Sequence, residues 1–114
     1  MSITIGEHVF DGPYTTTKDL MNDPGVFAVI VAEGDRGILI DVGESNNVGE
    51  CIEANKNKAR WDTLASNGRL CFAVLYTPSF DQTERSSIEQ GIRDQYGQNT
   101  QESNSSNTGR EETR

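Results

Sequence analysis

The chain has 114 residues, with 10 Lys or Arg against 18 Asp or Glu, a formal net charge of −8 and 33% hydrophobic content. That size bounds it to one domain with a modest core. A sequence-independent nucleic-acid binder brings a basic face, because phosphate contacts dominate its affinity, and this composition lacks that excess. The acidic balance fits a protein partner with a basic surface instead.

No apolar run approaches the ~18 residues of a membrane helix. The opening MSITIGEHVF has neither a basic n-region nor a long apolar stretch. The expectation is therefore a soluble, cytoplasmic protein without a signal peptide or membrane contact. Two cysteines, Cys51 and Cys71, match no CxxC metal or redox spacing. Cys71 lies in an apolar run and reads as a buried small hydrophobe. With so few cysteines, free thiols are favoured over a disulfide.

In chain order, Ser2 to Ile5 alternates and reads as an edge strand, interrupted at Gly6. His8-Val9-Phe10 continues the apolar signal, and Asp11-Gly12-Pro13 reads as a turn. Thr15 to Asn22 holds a weak helical turn, with Thr17 as its cap and Leu20 and Met21 to pack. Asp23-Pro24-Gly25 stops it. The dominant stretch is Gly25 to Gly43, GVFAVIVAEGDRGILIDVG. Its two Val/Ile-rich runs, Val26 to Ala32 and Ile38 to Val42, flank a glycine-containing polar segment. That pattern predicts a β-hairpin with a loop of about five residues. Nearly continuous apolar runs predict strands covered by helix on at least one face.

A helix is predicted from about Asn46 to Asn57, capped by Ser45 or Asn46, and a second from about Ala59 to Ala65. Gly49 costs the first ~1 kcal/mol against alanine. Trp61 on the second is expected to pack on the sheet, with base stacking as the functional alternative. Asn67-Gly68 is a turn, and Arg69 to Tyr76 is a third strong strand. Ser79 or Asp81 caps a last helix, about Gln82 to Gln95, whose stripe is Ile88, Ile92 and Tyr96. After Tyr96 no aliphatic or aromatic residue remains. The reading is one domain over residues 1–96 and a polar, disordered tail over 97–114. The fold class is an α/β sandwich: a small mixed sheet of three to four strands with helices on its faces.

The first hairpin strand opens with Gly25-Val26-Phe27, and the second closes with Asp41-Val42-Gly43. A helix, a strand and a last helix carrying Glu89 follow, and then Tyr96-Gly-Gln-Asn99. This order resembles the GIY-YIG nuclease family, over about Ile3 to Asn99. The resemblance implies cleavage of a phosphodiester with one divalent metal, Mg²⁺, held by Glu89. It implies tyrosines in the two triplets that serve the attacking water, and an arginine on the first helix that stabilises the charge on phosphate. Developing charge needs a fixed cation, and the water needs a base.

Most of those parts differ here. The first tyrosine position is Phe27, the second triplet begins with Asp41, and the arginine position falls on Cys51. The histidine that often follows falls on Asn55. Of these site positions, Glu89 alone keeps the family residue. Losing both cation and proton relay costs orders of magnitude in rate. The resemblance with these departures predicts an inactive GIY-YIG-like domain that binds a protein partner, such as a nucleic-acid-processing protein it inhibits. The second reading is an active, metal-dependent endonuclease with a rearranged site. In it Lys56, Lys58, Arg60, Arg85 or Arg93 replaces the cation, Tyr14 or His8 accepts the proton, and Asp41, Glu44 and Glu89 hold Mg²⁺ as hard oxygen ligands. The plainer reading of Arg85, Glu89 and Arg93 is a pair of i,i+4 surface ion pairs.

Overall fold

A computed structural model describes residues 2–66 and 68–101. Its elements are β1 (Ser2–Ile5), β2 (His8–Tyr14), a 3₁₀ turn (Thr17–Asp19), β3 (Gly25–Glu33), β4 (Arg36–Ser45), α1 (Val48–Glu53), α2 (Lys58–Ala65), β5 (Arg69–Tyr76) and α3 (Gln82–Gln101). The Val/Ile-rich hairpin is β3–β4. Its loop is tighter than the sequence suggests, since Glu33 already pairs with Arg36 across Gly34-Asp35. Gly34, at φ 65°, supplies the positive dihedral that a two-residue reversal needs at its first position.

The strands form one five-stranded sheet in the order β1-β2-β5-β3-β4, and every neighbouring pair is antiparallel. The architecture is α+β, and the expectation of a mixed sheet of three to four strands is corrected on both counts. The extra strand is β2, where Asp11-Gly12-Pro13 read as a turn. The strand runs through that segment instead, and a register shift between Asp11 and Tyr14 absorbs it. β5 returns after the two helices and inserts between β2 and β3, antiparallel to both.

Both faces of the central strands are buried, which is why they read as continuous apolar runs. On one face Phe27, Val29, Val31, Phe72 and Val74 pack against Val48 and Ile52 of α1 and Trp61 and Ala65 of α2. On the other, Val26, Ala28, Ile30, Val42 and Ala73 pack against Ile92 of α3, with Ile88 and Tyr96 alongside. The Tyr96 hydroxyl accepts the Gly6 amide at 3.0 Å and ties α3 to the β1–β2 turn. Cys71 is buried and Cys51 half-buried, both are free thiols, and they belong to opposite faces.

Helix ends differ from expectation in instructive ways. α3 starts with a reciprocal capping box: Asp81 Oδ1 accepts the Glu84 amide at 2.8 Å, and Glu84 Oε1 accepts the Asp81 amide at 2.9 Å. It continues to Gln101, past the predicted end at Gln95. Residues 97–101 of the expected tail are thus helical, and 102–114 lie outside the described residues, as does Asn67. The 3₁₀ turn is capped by Thr16 and not Thr17, and Thr17 donates its hydroxyl to Glu53. Leu20 packs in the core as expected, whereas Met21 is exposed.

α1 is shorter than predicted, and its N-cap residue Asn47 makes no side-chain cap bond. A distant residue supplies one instead, because Asn22 Oδ1 accepts the Glu50 amide at 2.7 Å. Gly49 lets that loop approach. A Cβ there would lie 2.7 Å from Asn22 Oδ1, 3.1 Å from the Leu20 carbonyl oxygen and 3.2 Å from that of Met21.

Two glycine substitutions should therefore have opposite signs in urea unfolding. Gly49→Ala is expected to destabilise by about 1–3 kcal/mol, because the methyl group displaces Asn22 Oδ1 from the Glu50 amide and crowds two backbone carbonyls. Gly91→Ala on α3, where nothing lies within 4 Å of the added carbon, should stabilise by about 1 kcal/mol through helix propensity alone.

Candidate functional site at the edge of β4 and α3

A bulge in β4 builds the site. Val29 pairs with Asp41 and Ile30 with Leu39, so Ile40 is an extra residue opposite β3. The bulge re-aims Asp41. Asp41 Oδ2 accepts the indole N–H of Trp61 at 2.8 Å, and its Oδ1 accepts the Val42 amide at 2.9 Å. Trp61 is fully buried and meets Phe72 edge-on, with ring centroids 6.2 Å apart. It packs on the sheet as expected and offers no face for base stacking.

α3 contributes the cations. Arg93 Nε donates to Glu89 Oε2 at 2.9 Å, and its Nη2 donates to the Val42 carbonyl oxygen at 2.5 Å and lies 3.4 Å from Asp41 Oδ1. About two turns toward the helix start, Arg85 is buried to 3% exposure. Its Nε donates to Glu44 Oε1 at 2.9 Å, Nη1 to the Phe80 carbonyl oxygen at 2.9 Å, and Nη2 to Asn46 Oδ1 at 2.6 Å. Gln82 Nε2 reaches the other oxygen of Glu44 at 3.4 Å. Of the two surface pairs expected on α3, Glu89–Arg93 forms, while Arg85 turns away to Glu44 across the element boundary.

Burial is the largest influence on Glu89 and raises its carboxyl above the ordinary value. The Arg93 hydrogen bond and charge oppose this, and the carboxylates of Glu44 and Asp41 reinforce it. Three acids thus share two guanidiniums within one partly buried cluster.

The sequence-matched positions divide between the two faces. Phe27 is buried in the face covered by α1 and α2, its ring lying where a side chain at Gly43 would go, and Cys51 packs against the same core. Glu89 stands on α3, which covers the other face. Asp41 at the edge reaches both layers, through Trp61 on one side and Arg93 on the other. Of the alternative groups, Tyr14 donates to Asp11 Oδ1 at 2.8 Å, which foremost raises its own hydroxyl pKa, and Lys58 lies 3.7 Å from Glu53.

The carboxylates are not assembled as a metal cage. Glu44 faces Arg85, Glu89 faces Arg93, and Asp41 is divided among Trp61, Val42 and Arg93. Among the described residues no group of three or more His, Cys, Asp or Glu is placed to hold a metal ion. Asn46 read as a helix cap, and its bond to Arg85 and the buried state of Arg85 escaped the sequence reading. The signal for Arg85 was present, because it precedes Ile88 by three and Ile92 by seven and so falls on the inward stripe of α3.

Arg85→Met should destabilise by about 3 kcal/mol, because it strands the Glu44 carboxylate. Adding Glu44→Gln should recover part of that loss, and a double-mutant cycle in urea reads the coupling. For Glu89 the folded carboxyl binds its proton at higher pH than the unfolded one. Between those two values stability falls as pH rises. Glu89→Gln removes that slope, so its unfolding midpoint relative to the parent protein should climb as pH rises above the ordinary glutamate value of 4.5.

No helix of the described residues is long and apolar enough to cross a membrane. No family model, no curated protein and no solved structure matches the chain.

Proposed function

We propose that this is a GIY-YIG-like domain that has lost its nuclease chemistry and acts by binding a protein partner with a basic surface, such as a nucleic-acid-processing protein. The observation that carries the reading is the commitment of both arginines beside Glu89. Arg85 spends its donors on Glu44, Asn46 and a carbonyl, and Arg93 spends its own on Glu89, Asp41 and another carbonyl. A cation that stabilises a pentavalent phosphate must aim unsatisfied donors at the developing charge. All three nitrogens of Arg85, and Nε and Nη2 of Arg93, already donate to internal acceptors, and the third carboxylate leaves the cluster acidic. That excess repels a phosphate backbone and attracts lysine or arginine. Phe27 has no hydroxyl and sits in the core, which supports the same reading.

Purified protein should leave supercoiled plasmid and single-stranded DNA intact in Mg²⁺ or Mn²⁺. Immobilised protein should retain a basic partner from host extract, and Glu44→Lys should release it. Metal-dependent cleavage that Glu89→Ala abolishes would establish the rearranged endonuclease instead.

A further inference from the structure

β1 and β4 are the two outer strands of the sheet, each paired on one side. Together they bank a groove of about 420 Å³ on the α3 side, floored by Ile3, Ile5, Ile30 and Tyr96. That volume falls within the ~300–1,000 Å³ of ligand clefts.

Register identifies the backbone groups that face it. In a hairpin closed by a two-residue turn, the pair flanking the turn exchanges both hydrogen bonds and the next pair exchanges none. Ile5 opposes His8 across Gly6-Glu7, so Thr4 turns its N–H and C=O away from β2. Glu33 opposes Arg36, so Gly37 and Leu39 turn theirs away from β3. Beyond the bulge the same count turns Val42 outward, and there its N–H meets Asp41 and its carbonyl meets Arg93. Side chains thus block the outer edge of β4 at Val42. At Gly37 and Leu39, among the described residues, no hydrogen bond does so.

Charge also runs along this strand. The side chain of Arg36 at its start is exposed and, among the described residues, makes neither ion pair nor hydrogen bond. Asp41 and Glu44 lie toward its end.

We propose that an extended segment of a partner protein adds to the open half of β4 as a new strand. Its alternate apolar side chains enter the groove, an acidic residue meets Arg36, and a basic residue points to the Asp41–Glu44 end. Main-chain pairing gives such an added strand affinity, and the pockets for alternate side chains give it specificity. The chain's own residues 102–114 contain no aliphatic or aromatic side chain and cannot fill this floor. The inference rests on the protein-binding reading and gives it a surface.

The probe is an end-capped heptapeptide, Asp-Val-Thr-Val-Thr-Val-Lys, titrated into the full ¹⁵N-labelled chain. The amides of Gly37 and Leu39 should shift and gain protection from hydrogen exchange. Of two probes N-methylated on alternate residues, at least one should bind tenfold or more weakly. Arg36→Glu, which lies outside the carboxylate cluster, should weaken the parent probe about tenfold. Three outcomes overturn the proposal: no shift at Gly37 and Leu39 at millimolar peptide, equal binding of both methylated probes and the parent, or self-association through β4 that excludes the peptide. Capture of one partner equally by the parent protein and Arg36→Glu overturns the groove while leaving the binding reading in place. Failure to capture any partner defeats that reading, and the peptide titration still decides the groove.

Discussion

The Asp41 carboxylate holds the two helical layers to one edge of the sheet. A carboxylate that is 13% exposed is tolerable only when its lone pairs are met. Three donors meet it here: the Trp61 indole from one layer, the Arg93 guanidinium from the other, and the Val42 amide of its own strand. The bulge at Ile40 makes this possible, because without the extra residue the alternation of β4 would carry Asp41 to a different face. Trp61 in turn anchors α2 against Phe72, and Arg93 anchors α3 against the Val42 carbonyl. Few single side chains here touch so many elements, so the geometry of the acidic cluster follows from it.

Elements whose apolar period was strong were legible in the sequence. β5 appears with the predicted bounds, the β3–β4 hairpin has its predicted strands, and the Ile88, Ile92, Tyr96 stripe faces the sheet. Local chemistry misled where tertiary pairing overrode it. Pro13 lacks a ladder donor and reads as a stop, yet β2 carries it by shifting register. Helix α3 outlasts its last apolar residue because backbone hydrogen bonding propagates without one. The faces were the harder matter. Period two puts Phe27, Val29 and Val31 on one side of β3, but the sequence does not say which helix covers that side. Phe27 and Glu89 therefore read as neighbours in one site, whereas the sheet stands between the layers that hold them.

An exposed sheet edge is a template for unwanted pairing, and folded proteins blunt it with charge, bulges or covering groups. β4 uses all three in its second half. The bulge breaks the ladder, Asp41 occupies the outward N–H of Val42, and Arg93 occupies its carbonyl. Its first half has Arg36 alone and the glycine that follows.

The same side chains that close the edge consume the charge that phosphate chemistry would need. Arg93 turns Nε to Glu89 and Nη2 to the Val42 carbonyl, which leaves Nη1 and no empty two-nitrogen fork for a scissile phosphate. Freeing Arg85 would strand Glu44 in a site with little water to compensate it. Phosphate chemistry and edge protection would compete for the Arg93 guanidinium, and its hydrogen bond to the Val42 carbonyl goes to protection. An acidic cluster stabilised from within, beside an open half-edge of strand, is the physical basis of the proposed recognition of another chain.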